Sequence, residues 1–600
     1  MGRLVGGNSD GGELRSMADR SGVTADDDVS EWAFEHGGSG IRLSYEVADP
    51  NGWTFWQDGK RTGVVSGAIT NLDELRLNHA DVFERLLDGD REIAAAIEGA
   101  FLIACYDGTD ETWVIVTDKL GARPCYYVEN DGFWFADSVR SLLSRRPSPS
   151  VDRQGVSDLL LMGHLWGDRT LVRGVHALRP ATVLEADPGG VSSYRYWKPD
   201  YAEAEPGREY LDELARRYRK AAERTARTLP EEAGLWLSGG LDSRTTAAAL
   251  RECSDESIEF DTLQTYTYDA NPPTNDNPRI ANQVVDRLSL DNVTVPLTAE
   301  TVADNFEQII DVTDGMMQWI SLVNLTGTYN VESPPPVMLE GMQGELVGDH
   351  PFRYHLDGMS PVEAQYASEA STTPDRVDEL LVPNVDPFET FRTEARRSPE
   401  SSHRATVLDV HFQNYYSRNT LLSNSVMRDR LGSRVPQVDG EYLEWCARLP
   451  RKYRKGTFPL TRRFVQSDAG GVPLGTSRAK LDLCRQVASE TADVTYERTK
   501  VRPDRPYALH AVGFVGNVAI NRLRGKATYG RGQLADFWIR DTETRLHRRV
   551  SELVDDACDR YLFDADAVRT VFDDHMTGAN NGSLLSKVTT IEYWLQTHLD

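Results

Sequence analysis

Leu235-Trp236-Leu237-Ser238-Gly239-Gly240-Leu241-Asp242-Ser243-Arg244 is the stretch from which the fold is read. An apolar strand runs into a turn of two glycines, two serines and an aspartate, and the Ala-rich residues 245–251 then read as a helix. Glycine lets a backbone turn tightly and approach an anion without a Cβ in the way. A helix N-terminus adds unpaired N–H groups and the positive end of its dipole. The hydroxyls of Ser238 and Ser243 supply further donors. Asp242 would be costly beside a bare phosphate, so its natural task is to hold Mg²⁺ bridging phosphate oxygens. The expected phosphate cradle is therefore Leu237, Ser238, Gly239, Gly240, Leu241, Asp242 and Ser243. The pattern G-x-x-x-x-G-K-[ST] occurs nowhere, which excludes the P-loop of kinases and GTPases. A ligand-free Gly-rich turn is the plainer alternative, and it leaves the coincidence of Ser, Gly, Gly, Asp and Ser unexplained.

Outward from this turn, the pattern divides. At 600 residues the chain exceeds one hydrophobic core, so two or more domains are expected. Downstream, residues 209–228 form a helix with Leu211, Leu214, Tyr218 and Ala221 at three- and four-residue spacing. Strands then alternate with helices, which implies a parallel sheet early and helices later. Upstream the signals are β-rich, with short runs at 63–69, 100–106, 113–117 and 132–136, interrupted by a helix over 71–87. Residues 1–30 have the Gly- and Asp-rich composition of a disordered acidic leader. Residues 194–206 read as a linker, and 357–404 as a polar insertion without clear period.

With 66 Lys and Arg against 93 Asp and Glu, the net charge is −27. Lys is scarce; after Lys220 the next is Lys452. A surface of this kind resembles proteins of salt-loving cells, and equally an ordinary acidic soluble protein. The field repels nucleic acid, and no Lys/Arg-rich run is expected to make an exception. No apolar stretch approaches the roughly 18 residues of a membrane span. No apolar export segment is seen, so a cytoplasmic location without a membrane partner is expected. The six Cys form no C-x-x-C pair, which argues against a zinc or redox site.

Residues 238–243 resemble the pyrophosphate loop of the glutamine-dependent asparagine synthetase family, which cleaves ATP between its α- and β-phosphates. The resemblance runs from about residue 63 to the C-terminus. Ser66-Gly-Ala-Ile-Thr-Asn-Leu-Asp-Glu-Leu-Arg76 resembles N-G-E-I-Y-N-x-E-E-L-R, and Asp118-Lys-Leu-Gly-Ala-Arg-Pro-Cys-Tyr-Tyr127 resembles D-R-x-G-x-R-P-L-Y-Y. Arg434-Val-Pro-Gln-Val-Asp439 resembles R-x-P-F-L-D. The order of these motifs along one chain carries the likeness. It implies an N-terminal-nucleophile-like αββα domain over 31–200, and over 201–600 an α/β ATP-pyrophosphatase domain with a parallel sheet and a helical C-terminal part. The implied activity is amide formation through an acyl-adenylate, releasing AMP and pyrophosphate, with ATP and Mg²⁺ as cofactors. The implied partners are a small carboxylate, aspartate in the family, and ammonia or another amine, with a homodimer as one option. Similarity to β-lactam synthetases keeps a different carboxylate open. A tRNA-modifying pyrophosphatase and a degenerate nucleotide-binding homologue are the rival readings.

The chain also departs from the family. The family's first domain uses a Cys directly after the initiator Met as nucleophile, whereas Gly2 stands here and the first Cys is Cys105. Ser66 replaces the oxyanion-hole Asn, and Ala68 replaces the Glu that grips glutamine. The second acidic motif, G-x-G-x-D-E-x-x-G-G, corresponds to residues 340–349, with Glu345 as the candidate second acid and metal ligand beside Asp242. Phe458 stands where the family's K-x-x-L-R has its Lys, so Lys455, one helical turn upstream, is the candidate catalytic cation. With nucleophile, oxyanion donor and substrate contact all changed, isotope-labelled glutamine incubated with purified protein should yield no labelled glutamate, and its appearance would overturn this reading.

Overall fold

Successive residues of the upstream strands face two different cores, which is why they read as near-continuous apolar runs. The structure, a computed structural model, describes residues 2–8, 11–20, 29–46, 49–253, 258–270, 277–339, 342, 344–349, 359–383, 385–456, 474–523 and 534–600. The N-terminal strands are β1 (Gly2–Gly7), β2 (Val29–His36), β3 (Ser39–Glu46), β4 (Trp53–Asp58), β5 (Arg61–Ile69) and β6 (Gly99–Asp107). They continue with β7 (Thr112–Thr117), β8 (Tyr126–Glu129), β9 (Phe133–Ala136), β10 (His176–Ala177), β11 (Thr182–Asp187) and β12 (Gly190–Arg195). They form two six-stranded sheets ordered β10-β8-β9-β1-β3-β2 and β12-β11-β7-β6-β5-β4, whose pairings are antiparallel.

Leu4, Val64, Leu102 and Ala104 meet in the core between the sheets. Their neighbours Val65, Ile103 and Cys105 face outward onto Val82, Phe83 and Leu86 of the helix His79–Leu87. Val5 faces the other way, onto Leu14 and Met17 of the helix Gly11–Asp19. Helix, sheet, sheet, helix is the resulting layer order. This is the N-terminal-nucleophile-like sandwich expected for the first domain.

Five further strands follow: β13 (Glu232–Trp236), β14 (Thr262–Ala270), β15 (Asp291–Leu297), β16 (Val337–Leu339) and β17 (Gly432–Arg434). They pair in parallel in the order β15-β14-β13-β16-β17. Leu235, Leu263, Ile280, Val284 and Leu339 share one core with Leu481 and Cys484 of the helix Arg478–Val487. The C-terminal helices Arg545–Asp559, Ala565–Met576 and Gly582–His598 pack into the core that holds the outer face of the first sheet. One apolar cluster thus joins the two domains, and the parallel-sheet domain has the expected helical C-terminal part.

Three expectations change. The leader over 1–30 is, in its described part, β1 and the helix Gly11–Asp19, with β1 hydrogen-bonded between β3 and β9. Its apolar residues Leu4, Val5, Leu14, Met17 and Ala18 are all buried; a Gly- and Asp-rich average concealed them. The helix over 71–87 is two pieces, Leu72–Leu75 ending at Arg76 with φ 55°, and His79–Leu87 starting at an Asn78–Asp81 capping box. The supposed insertion holds three helices, Pro361–Glu369, Pro374–Leu380 and Glu389–Arg397. Ser360 forms a capping box with Glu363, and Thr373 caps the second helix ahead of Pro374.

Trp113, 1% exposed, lies tilted on Tyr106 with ring centroids 4.5 Å apart and edge-on to Phe135 at 5.3 Å. Trp113→Ala should cost about 3–5 kcal/mol, read as a lower denaturation midpoint with an unchanged slope; a loss below about 1 kcal/mol would contradict this packing.

Candidate active site

The turn after β13 is shaped by a buried guanidinium. Arg244, fully buried, donates from Nε to the Gly240 carbonyl (2.8 Å) and from Nη2 to the Gly239 carbonyl (3.1 Å). Its other contacts are the carbonyls of Val494 (3.0 Å), Thr495 (3.2 Å) and Thr491 (3.5 Å). Both glycine carbonyls are therefore held by one guanidinium. On the serine side, Ser243 Oγ accepts from the Ser238 N–H (3.0 Å) and Ser238 Oγ accepts from the Gly240 N–H (3.1 Å). Asn277 Oδ1 accepts from the Gly239 N–H at 2.6 Å. A Cβ on Gly239 would lie 2.8 Å from Glu497 Cβ, so close backbone approach demands glycine here. The helix Asp242–Arg251 then begins with its first N–H groups directed at this turn.

The second side of the site comes from the end of the neighbouring strand. β16 is followed by an irregular helical turn, Glu345–Asp349, kinked at Gly348 with φ 79°. A Cβ at Gly344 would meet Lys480 Nζ at 2.7 Å and Asp242 Oδ2 at 2.8 Å. Lys480 Nζ itself lies 3.0 Å from Asp242 Oδ2 and 3.1 Å from Asp349 Oδ2. Lys455 Nζ is 3.7 Å from Asp349 Oδ1, and Arg498 Nη1 is 3.4 Å from Asp349 Oδ2. The site thus sits at the carboxyl ends of adjacent parallel strands, where open α/β sheets place ligands.

Charges here are strongly coupled. Burial pushes Asp349 up, but Lys480, Lys455 and Arg498 outweigh it and hold the carboxyl well below its usual range. Lys480 is held far above its usual value, since Asp242 and Asp349 overcome the burial that opposes its charge. Burial raises Asp242 against the pull of Lys480. Glu345 is pushed up to about 7 by burial and then by repulsion from Asp242.

The residues expected from sequence, Asp242, Glu345 and Lys455, lie around this cluster. The Lys455 side chain is 8% exposed, and the backbone N–H donates to the Gly348 carbonyl at 2.8 Å. Phe458 lies outside the described residues. Lys480, Asp349 and Arg498 were not foreseen. Lys480 had one local signal: a cation at the third position of a helix opposes the helix dipole, and Ser477 caps that helix through the Lys480 N–H. The expectation of no basic run also fails, because Arg451-Lys452-Tyr453-Arg454-Lys455 carries four cations in five residues, leading into the site.

Two groups fit a divalent cation. Asp242 Oδ1 and Asp349 Oδ1 are buried and accept no hydrogen bond, and ionised carboxylate oxygens are the donors Mg²⁺ prefers. Among the described residues no three His, Cys, Asp or Glu gather closely enough to hold a metal alone. Such an ion would take its remaining ligands from phosphate and water.

In the first domain, Ser66 and Ala68 lie on β5, on either side of Gly67. Asp118 accepts from the N–H groups of Phe101 (3.1 Å), Leu120 (2.9 Å) and Ala122 (2.9 Å). It is thereby tied into holding a buried turn. No helix among the described residues is long and apolar enough to cross a membrane.

Residues 57–197 match the family model of a glutamine amidotransferase domain, and 213–457 match that of asparagine synthase. Asparagine synthetase [glutamine-hydrolyzing] 2 of Bacillus subtilis is 27% identical over 262 residues, covering 39% of this chain and 34% of that protein. The putative asparagine synthetase [glutamine-hydrolyzing] 2 of Methanocaldococcus jannaschii is 24% identical over 145 residues, covering 23% of this chain and 28% of that protein. The chain thus spans about a third or less of the length of these curated relatives. A solved structure, the glutamine phosphoribosylpyrophosphate amidotransferase of B. subtilis with ADP and GMP, is 9% identical with a TM-score of 0.25, over 49% of this chain and 90% of that one.

The Glu345 carboxyl gives a pH signature. Its folded value of about 7 lies above an unfolded value near ~4.3, so its contribution to stability is full below the unfolded value and is lost as pH rises through about 7. Glu345→Gln carries no such loss. Relative to the parent, the variant should gain roughly 1–3 kcal/mol between about pH 4 and about pH 8.5, measured by denaturant unfolding; an equal difference at both pH values would contradict it.

Proposed function

We propose, on the premise that the chain belongs to the asparagine synthetase family, that it forms an amide bond by adenylating a small carboxylate with ATP. The carrying observation is the pairing of a Ser/Gly turn with the Asp242–Lys480–Asp349 cluster at adjacent strand ends. A carboxylate resists an amine because its oxygen is a poor leaving group. In the first step a carboxylate oxygen bonds to the α-phosphorus, and the bond from that phosphorus to the β-phosphate bridging oxygen breaks, releasing pyrophosphate. The first N–H groups of the helix Asp242–Arg251 and the serine hydroxyls bind the departing phosphates, and Lys480 offsets the charge that grows on them. Asp242 and Asp349 would hold Mg²⁺, with Glu345 beside Asp242; when bound, the ion screens the phosphate oxygens.

In the second step the amine nitrogen attacks the acyl carbon, AMP leaves, and the nitrogen loses a proton. Glu345, pushed up to about 7, has the proton affinity suited to accept it near neutral pH. Lys455 and Arg498 hold Asp349 ionised and so fix the site's charge. Aspartate with free ammonia is the first substrate pair, since Gly2, Ser66 and Ala68 stand where a glutaminase needs Cys, Asn and Glu. Other carboxylates, including those of β-lactam-synthetase type, form the rest of the panel.

The test is pyrophosphate release across a carboxylate-by-amine panel at several salt concentrations. Release should require one small acid and fall at least about 100-fold in Asp242→Ala and in Lys480→Met, with denaturation midpoints showing that each variant still folds. Turnover surviving in folded Asp242→Ala would remove the assigned role of that carboxylate; dependence on tRNA would favour the modifying enzyme, and no release with any acid a non-catalytic homologue.

A further inference from the structure

The helix Tyr507–Leu523 carries no Asp, Glu, Lys or Arg from Tyr507 to Asn521, yet only one of its faces is covered. His510, Ala511 and Phe514 are buried, with Phe514 against Gly475 and His510 Nδ1 2.9 Å from the Thr499 hydroxyl. On the opposite face Leu509, Val512, Val515, Ile520 and Leu523 are 43–89% exposed. Ala508, Gly516 and Ala519 stand exposed between them. Five of the eight large apolar side chains exposed among the described residues are thus on one helix. A helix apolar all round belongs inside a core, and a contiguous exposed apolar face marks a contact surface.

The charge of this region is as unusual as its exposure. No Asp or Glu occurs from 505 to 535, whereas five Arg and Lys do, in a chain with 93 acids and a net charge of −27. Tyr507, the first residue of the helix, also lines a cleft of about 450 Å³, within the size range of ligand pockets. Arg451, Lys452, Arg454 and Arg478 line this cleft too, against a single acid, Glu203. Glu203 accepts from the Arg451 backbone N–H and also faces Arg404 and Arg454. Lys452 rests on the Tyr453 ring at 4.9 Å and Arg478 on the Tyr507 ring at 4.8 Å, contacts that leave each cation its charge. Cleft and apolar face meet at Tyr507. They form one surface, basic at one end and apolar along a helix of 17 residues, about 25 Å long.

We propose that this surface docks an acidic polypeptide segment, its apolar side chains along the helix and its carboxylates in the cleft. Charge complementarity selects the partner. A second copy of this chain, meeting helix on helix, would set two acid-free, cationic stretches against each other. A flat anionic bilayer would reach the helix but not enter a concave cleft in which Arg454 is only 7% exposed. An acidic chain meets both parts. Docking here is independent of the ligase reading, and its test reads binding without ATP, so either can fail while the other stands.

The test is fluorescence anisotropy of the full chain with labelled twelve-residue peptides made of Glu-Leu-Leu-Glu, Lys-Leu-Leu-Lys or Glu-Ser-Ser-Glu repeats. The first should bind, one per chain, and the others at least about ten-fold more weakly, since one reverses the charge and the other lacks the apolar contacts. Val512→Glu and Arg478→Glu, both at exposed positions, should each weaken the first peptide by about ten-fold or more, with unchanged denaturation midpoints showing that they fold. Leu509→Ser and Arg478→Gln, milder changes on the same surface, guard against a folding failure and should weaken it in the same direction. Binding of no peptide, equal binding of the Lys peptide, or undiminished binding in the folded variants would overturn the proposal. So would binding of phosphatidylglycerol vesicles in place of the peptide, or a dimer of the chain that dissociates in Val512→Glu.

Discussion

The buried ammonium of Lys480, shared between Asp242 and Asp349, is the contact on which the proposed chemistry depends. It joins three segments far apart in the chain: the turn after β13, the turn after β16 and the helix Arg478–Val487. Such a triad gives little net stability, because desolvating three charges costs about as much as their attraction returns. Its value is in position. Removing any one member leaves a buried charge uncompensated, so the three must arrive together. Arg244 does the same for the backbone, drawing both glycine carbonyls to one guanidinium.

The first domain is tied to the parallel-sheet domain by buried ion pairs. Glu98 pairs with Lys119 at 2.6 Å and accepts from the Gly440 N–H at 2.6 Å. Arg224 links Glu74 of the first domain to Asp439, which caps the helix Gly440–Ala447. Arg434 closes on Asp49. The motif Arg434-Val-Pro-Gln-Val-Asp439 is therefore an interdomain lock at both its ends. The first domain thus has structural work of its own: the parallel-sheet domain leans on it through ion pairs and a shared apolar core.

Local signals made the strand–turn–helix legible, because glycine, serine and aspartate act within six residues. The β-rich character of the first half was legible from its short strand runs, whereas its two-sheet sandwich was implied only by the resemblance that motif order carried. What escaped was long-range. Lys480 lies 238 residues from Asp242, and no pattern within a window can join them. Asp349 lay inside the recognised acidic motif, yet only its three cations mark it as the ionised member, while Glu345, the sequence choice, is the carboxyl near neutrality. The N-terminal strand escaped for a compositional reason: two apolar residues among glycines are enough when hydrogen bonds to β3 and β9 supply the rest. The helices at 361–369 and 374–380 did carry readable caps, Ser360 with Glu363 and Thr373 with Pro374, which a search for apolar period passes over.

Scarcity was itself informative. The chain has ten Lys among 600 residues, and three of them, Lys119, Lys480 and Lys587, are almost wholly buried at 4%, 5% and 0% exposure. Lysine is normally among the least buried residue types, and an acidic surface can be built with Arg as its cation. A compact ammonium is required where space is narrow and donors must point three ways: Lys587 reaches the Leu160 carbonyl and the hydroxyls of Ser371 and Thr372, and Lys480 reaches two carboxylates. A planar guanidinium could not make either set without displacing a neighbour. In a Lys-poor chain, then, a lone lysine at the start of an amphipathic helix points inward, and at Lys480 it points to the place where phosphate charge would have to be met.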